Sequence, residues 1–73
     1  MTCPGPRGRV RNNVRRLREA AGLTQAELAE QVGATRQTIN AVEAEKYAPS
    51  LELAFRLARC FGKPFEAVFE FEQ

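Results

Sequence analysis

Residues 25–43 decide the fold, and they read QAELAEQVGATRQTINAVE. Thr24 stands directly before this stretch and Glu27 follows it by three residues, which is the pattern of a capping box at a helix start. The apolar residues that come next fall on one helical face, and they are Leu28, Ala29 and Val32. A helix that begins at Thr24 and buries this face is therefore predicted.

A further helix is predicted directly after the first, across a very short turn. Gly33 ends the first helix where the chain needs unusual dihedral angles, and Thr35 caps the next one. Ile39 and Val42 give this next helix a narrow apolar seam. The spacing is that of a helix-turn-helix, in which the outer face of the second helix is free to enter a major groove of DNA.

The outer face of that second helix is polar, and it carries Arg36, Gln37, Thr38, Asn40 and Ala41. It lacks the Lys and Glu pairs that a merely solvated helix favours. Asn40 also has a low helix propensity, which favours a role in recognising bases over a role as a solvated surface residue. The face is therefore the main candidate for a functional surface.

A helix is also predicted before the helix-turn-helix, from about Asn13 to Ala21. Asn12 or Asn13 can cap it, and Gly22 supplies a C-terminal glycine. Its buried face falls at positions three and four residues apart, with Val14, Leu17 and Ala21.

Two helices are predicted after the helix-turn-helix. Ser50 caps the first of them, which ends at Gly62, and its apolar stripe is Leu51, Ala54, Leu57, Ala58 and Phe61. Pro64 opens a short last helix that reaches about Val68.

The chain then ends in a pattern typical of a strand. Residues 68–72 alternate apolar and acidic side chains with period two, and the other candidate strand is residues 9–12. Pairing them sets Arg9 and Arg11 opposite glutamates and Val10 near a phenylalanine. Because two strands are marginal alone, we expect the ribbon to join its copy from a second subunit. The fold class expected is thus all-α, with five helices and a short terminal antiparallel β-ribbon of residues 9–12 with 69–72.

Length and composition indicate one small folded domain. The chain has 73 residues, of which 44% are hydrophobic and 27% are charged. Residues 1–8, rich in Pro and Gly, are predicted to form a flexible basic arm, and residues 9–73 the domain with its dimerisation strand. No apolar run approaches a membrane span and no signal peptide is evident, so a cytoplasmic protein with no membrane partner is expected.

The residue types present argue against catalysis and against metal binding. The sequence contains neither histidine nor aspartate, and Cys3 and Cys60 cannot build a zinc site without histidine partners. Cys60 falls in an apolar helical pattern and is expected to be a buried, inert thiol. We therefore expect no cofactor, no metal and no enzymatic activity. The arginines concentrate before Glu19 and the glutamates near the end, which favours a dipolar molecule with one DNA-facing side.

The motifs above resemble the Cro/C1-type helix-turn-helix family over about Val10 to Phe71. The resemblance rests on LTQAELA at residues 23–29, Gly33, TRQTI at 35–39, Glu43 and KYAPSL at 46–51. Small dimeric members that end in a phenylalanine-rich strand, such as the cytolysin-operon repressor, are the most similar. In that subgroup the terminal strands accompany dimer formation.

The resemblance implies a lambda-repressor-like DNA-binding domain and a role for each matching residue. Residues of helix three, about 36–44, would read bases in the major groove, and they are Arg36, Gln37, Asn40 and Ala41. Phosphates would be held by Gln25, Thr38, Lys46, Tyr47 and Ser50. Arg18 and Glu43 match a structural ion pair. Phe55, Phe65, Phe69 and Phe71 are assigned to the core or to a dimer interface, which would comprise Val10, Phe65, Phe69 and Phe71.

The function expected from the resemblance is sequence-specific binding of double-stranded DNA by a homodimer on a two-fold symmetric operator. Family usage favours a repressor, and no small-molecule effector is expected. Two alternatives use the same fold. One is an antitoxin-like autoregulator, although the chain has almost no residue to spare for a toxin-binding segment. The other is a protein-interaction module, which would be expected to have an acidic or apolar face on helix three.

Overall fold

A computed structural model describes residues 8–72 of the chain. Five helices and a two-stranded antiparallel sheet follow the order predicted from the sequence. Their bounds are β1 Arg9–Asn12, α1 Val14–Ala20, α2 Gln25–Val32, α3 Arg36–Glu43, α4 Leu51–Phe61, α5 Phe65–Val68 and β2 Phe69–Glu72. The predicted arm of residues 1–8 lies outside the described residues, except for Gly8. No helix of the described part is long and apolar enough to cross a bilayer.

Local capping interactions set the ends of the central helices, as the sequence predicts. The Thr24 hydroxyl accepts from the Glu27 backbone N–H, and the Glu27 carboxylate accepts in return from the Thr24 backbone N–H at 2.8 Å. Thr35 and Ser50 cap α3 and α4 through their hydroxyl oxygens. Gly33 ends α2 with φ +73°, in the left-handed region that glycine adopts at no steric cost.

Of the two asparagines predicted as candidate caps of α1, Asn12 accepts a hydrogen bond from the helix. Asn13 stands at the N-cap position, but its side-chain amide donates to the Ala67 carbonyl at 3.0 Å rather than accepting from the helix. The Asn12 Oδ1 atom instead accepts from the Val14 N–H at 3.1 Å. Asn12 therefore caps α1, while Asn13 is hydrogen-bonded to α5.

The core forms where the helices converge, and every helix contributes to it. The largest side chains that are fully buried are Leu28, Ile39, Leu57, Val14, Val42 and Val68. Leu28 comes from α2, and Ile39 and Val42 come from α3, so the apolar seam of the helix-turn-helix is sealed. Burying a side chain of this size contributes roughly 1.5–3 kcal/mol, so this seam fixes how α3 lies on the domain.

The ribbon has the register that the alternation predicts. Arg9 pairs with Glu72, Val10 with Phe71, Arg11 with Glu70, and Asn12 with Phe69. The Arg11 guanidinium reaches diagonally to Glu72, with Nη1 2.9 Å from Oε2. This hydrogen bond raises the pKa of Arg11 and lowers the pKa of Glu72. Charge and register therefore agree along the ribbon.

Two apolar residues of the predicted helical stripes are exposed: Leu51 in α4, and Ala21, which directly follows α1. Leu51 belongs to the apolar stripe predicted for α4, but it is 67% exposed. Phe69, assigned to the core or to a dimer interface, is 6% exposed. Its ring packs against Phe65 with centroids 5.2 Å apart, so it belongs to the core of the single chain.

Candidate nucleic-acid interface

Helix α3 presents the four residues predicted to read bases on or beside its outer face. Arg36, Gln37 and Asn40 are exposed and Ala41 is half-buried, while Ile39 and Val42 on the opposite face are fully buried. Within residues 8–72, no carboxylate lies in ion-pair range of the Arg36 guanidinium, and the Gln37 amide makes no hydrogen bond. Their donors and acceptors are thus available to a ligand.

The turn between α2 and α3 is also contacted by an arginine of α4. A Cβ atom added to Gly33 would lie 3.0 Å from Nη1 of Arg56 on α4. The same nitrogen donates to the Val32 carbonyl at 3.4 Å, where α2 ends. Arg56 was not identified from the sequence, because an arginine on an exposed helical position gives no signal of a long-range contact. Arg56 thus links α4 to the turn that precedes α3.

Arg18 and Glu43, predicted to form an ion pair, lie together beneath the candidate interface. Arg18 Nε is 2.6 Å from Glu43 Oε2, and Arg18 Nη2 is 3.3 Å from Oε1. Their side chains are 12% and 5% exposed. Hydrogen bonding to Glu43 raises the pKa of Arg18, although burial acts in the opposite direction. Arg18 also donates to the Leu23 carbonyl at 2.8 Å, so the pair joins α1, the α1–α2 loop and α3.

Gln25, predicted to contact a phosphate, is hydrogen-bonded within this cluster. Its Nε2 atom lies 3.1 Å from Glu43 Oε1 and 3.3 Å from Asn40 Oδ1. The side chain is half-buried at the first position of α2. One predicted phosphate ligand, one predicted base-reading residue and one member of the ion pair are thereby brought into a single hydrogen-bonded group.

The other predicted phosphate ligands are spread over three elements. Thr38 lies in the first turn of α3, with its hydroxyl 2.9 Å from that of Thr35. Ser50 is the α4 cap, and its hydroxyl oxygen accepts from the Leu53 N–H at 3.2 Å. Lys46 and Tyr47 lie in the loop after α3, beside the ribbon, and both are exposed. The Ser50 hydroxyl still has an O–H with which to donate, because capping uses it as an acceptor.

The four residues predicted for a dimer interface line one open groove of about 410 Å³. It lies between the ribbon and the start of α4, and its walls include Val10, Phe65, Phe69 and Phe71 together with Leu51. Phe71 is 55% exposed and Val10 is 38% exposed. Phe55, 51% exposed, extends the apolar surface, since its ring lies 5.3 Å from that of Phe65. Leu51 is one of the wall residues that the sequence did not place here.

Asn12 is a positioning residue that sequence reasoning missed. Its Nδ2 atom donates to the Val42 carbonyl at 2.8 Å, while its Oδ1 atom caps α1. Glu45, which has φ +60°, accepts from the Asn12 backbone N–H at 3.4 Å and lies 3.7 Å from Arg11. The sequence shows only an asparagine before a helix, which predicts a cap and not a link from the ribbon to the end of α3.

Comparison with known proteins identifies the family. The model of the helix-turn-helix family matches residues 14–68. An uncharacterized HTH-type transcriptional regulator of Methanocaldococcus jannaschii is 44% identical over 63 residues, which is 86% of this chain and 96% of that protein. A second, from Methanothermobacter thermautotrophicus, is 56% identical over 54 residues, covering 74% of this chain and 78% of the relative.

Similarity extends to bacterial proteins as well. The uncharacterized HTH-type transcriptional regulator YgzD of Bacillus subtilis is 42% identical over 64 residues, covering 88% of this chain and 97% of that protein. The crystal structure of a candidate DNA-binding protein from Bacteroides fragilis superposes with a TM-score of 0.75, at 23% identity, over 84% of this chain and 98% of the other. That structure confirms the fold. The family is one of non-catalytic regulators, in agreement with the sequence prediction. The chain belongs to the Cro/C1-type helix-turn-helix family.

Proposed function

We propose that this protein is a sequence-specific transcriptional regulator that binds double-stranded DNA with α3 in the major groove. The observation that carries the proposal is the division of α3 into two faces. Ile39 and Val42 anchor one face in the core, while Arg36, Gln37 and Asn40 expose polar groups on the other. A helix held in this way can enter the groove without unfolding any part of the domain.

The exposed side chains have the chemistry that base edges require. Arginine donates two hydrogen bonds to O6 and N7 of guanine, and Gln or Asn pairs in the same bidentate manner with adenine. Each such contact is worth roughly 1–3 kcal/mol of discrimination against the wrong base. Ala41 would contact a thymine methyl group. Lys46, Tyr47 and the hydroxyls of Thr38 and Ser50 would hold phosphates and fix the register.

The protein is further proposed to act as a homodimer on a two-fold symmetric operator. The apolar groove that contains Val10, Leu51 and Phe71 supports this, because exposed apolar patches of this kind mark association sites. Such a dimer would need its two α3 helices to lie about 34–36 Å apart, so that they enter successive major grooves. A dimer bound across a promoter excludes other proteins from the same DNA, which makes repression the expected outcome.

Selection from a library of random 30-base-pair duplexes, followed by sequencing, tests the DNA-binding function with no assumption about the operator sequence. The expected result is one enriched sequence with approximate two-fold symmetry. Fluorescence anisotropy over a salt series should then show binding roughly a thousandfold or more tighter than to a shuffled duplex. Affinity should also fall steeply with salt, because phosphate contacts release counterions.

Gln37→Ala and Asn40→Ala should each lose most of this preference. Gln31→Ala is the matched control, since Gln31 lies on the other side of α2, where it accepts a hydrogen bond from Cys60 on α4. It should bind as the wild type does. Absence of binding to any duplex at low salt would overturn the proposal and favour a protein-interaction module with the same fold.

A further inference from the structure

The Gln25 amide has both of its donors engaged inside the protein. A glutamine amide has two N–H groups on Nε2, and here this nitrogen lies 3.1 Å from Glu43 Oε1 and 3.3 Å from Asn40 Oδ1. Glu43 is the ion-pair partner of Arg18, so its carboxylate only accepts hydrogen bonds. The nitrogen end of the amide must therefore face Glu43, and the opposite orientation would set two acceptors against each other.

The orientation of the Gln25 amide determines the orientation of the Asn40 amide. Because Gln25 directs its second N–H at Asn40, the oxygen of the Asn40 amide must face Gln25. A reversed Asn40 would set two donors against each other. The order of donors and acceptors thus passes from the Arg18 guanidinium through the Glu43 carboxylate and the Gln25 amide to Asn40. Asn40 is exposed, and its Nδ2 atom makes no hydrogen bond within residues 8–72.

We infer that Gln25 is a positioning residue that presets the amide of Asn40 before DNA arrives, and so sharpens the base preference of Asn40. The inference rests on the proposed function. An asparagine recognises adenine by donating from Nδ2 to N7 and accepting at Oδ1 from the N6 amino group. The two atoms must point in a fixed order for this pairing, and the relay supplies that order in the free protein.

The same geometry removes the side chain of Gln25 from the expected phosphate contacts. Phosphate oxygens accept hydrogen bonds and never donate them. Both donors of the Gln25 amide are already directed at Glu43 and Asn40, and the remaining Oε1 atom is an acceptor. A phosphate contact by this side chain would require the relay to break.

The two roles predict different outcomes for the variant Gln25→Met, which keeps the unbranched shape and removes both donors. Selection on the random duplex library gives a preference at each base position for the wild type, Gln25→Met, Asn40→Ala and Lys46→Ala. Asn40→Ala identifies the positions that Asn40 reads. Gln25→Met should lose discrimination at those same positions on the order of tenfold, the scale of ordering one flexible side chain, and leave the other positions unchanged.

Lys46→Ala is the control for a phosphate contact, because loss of such a contact weakens all sequences alike. A uniform loss for Gln25→Met, or a profile identical to that of the wild type, would overturn the inference and leave the proposed function intact. Enrichment of no sequence by the wild type would overturn the proposed function itself.

A double variant keeps the test independent of small changes in stability. If Gln25 acts only through Asn40, then Gln25→Met combined with Asn40→Ala should bind the selected duplex as Asn40→Ala does alone. A further tenfold loss in the double variant would contradict positioning and support a separate contact with DNA. Thermal unfolding of each variant establishes that all are folded at the assay temperature.

Discussion

Removal of the Glu43 carboxylate should destabilise the domain more than any surface charge change. In Glu43→Ala the Arg18 guanidinium, only 12% exposed, keeps the Leu23 carbonyl as its remaining partner, and Gln25 loses an acceptor. Breaking a buried ion pair costs about 3–5 kcal/mol, and the partial exposure of Arg18 favours the lower end. A chain of 73 residues has a total stability of roughly 4–11 kcal/mol, at about 0.05–0.15 kcal/mol per residue.

A loss of about 3 kcal/mol corresponds to a decrease in Tm of roughly 12–24 °C for a domain of this size. Thermal unfolding followed by circular dichroism, with urea titration at 25 °C, measures both quantities. Glu19→Ala is the matched control, because Glu19 pairs with Arg15 at 3.6 Å while their side chains are 58% and 72% exposed. An exposed pair is worth about 1 kcal/mol or less, so Tm should fall by only a few degrees.

The double replacement Arg18→Met with Glu43→Leu separates the charge from the packing. Apolar residues in place of a buried pair are often neutral for stability, so the double variant should recover much of the loss. Recovery should be incomplete, because the Leu23 carbonyl and the Gln25 amide each lose a partner, at about 1–3 kcal/mol for a fully buried group. If Glu43→Ala proves no more destabilising than Glu19→Ala, the pair is not a structural element and the reasoning fails.

Two further predictions concern the groove and the pH dependence. Leu51→Glu should give a folded monomer in analytical ultracentrifugation at micromolar concentration, where the wild type should be dimeric, because Leu51 is 67% exposed in the groove and acidic residues suit a first helical turn. Ala67→Glu, at an exposed site outside the groove lining, should stay dimeric. A monomeric wild type would refute the interface. Hydrogen bonds lower the pKa of Glu27, through the Thr24 backbone, and of Glu72, through Arg11, below the value of about 4.3 in an unfolded chain. The stability they add is complete above that value and is lost as pH falls through their folded-state pKa. Thermal unfolding from pH 6 to pH 3 should therefore show a smaller decrease in Tm for Glu27→Gln/Glu72→Gln than for the wild type, and equal decreases would contradict this.

The prediction of the five helices succeeded because the signals that end a helix are local. Thr24 and Glu27 satisfy each other's backbone groups three residues apart, and Gly33 adopts φ +73° where the chain turns. The ribbon was also predictable, because a period of two allows only one register that sets arginines against glutamates. These features depend on neighbours in sequence or on a simple repeat.

The candidate site was predicted less completely, and the reason is the range of the contacts. The outer face of α3 follows from its helical period, but the partners of its residues do not. Gln25 is joined to Asn40 and Glu43 across 15 and 18 residues, and Asn12 is joined to Val42 across 30. Such hydrogen bonds exist only once the helices have packed at a particular angle.

The sequence by itself determined the order of the elements, the ends of α2, α3 and α4, and the residues that α3 offers to a ligand. Only the tertiary structure decided that Phe69 is buried while Leu51 is exposed, since both occupy apolar positions of their local patterns. It also decided that the Gln25 amide donates to Glu43 and Asn40. The physical reason is common to both cases: a periodic pattern specifies a face, but the packing of the other elements determines what lies against that face.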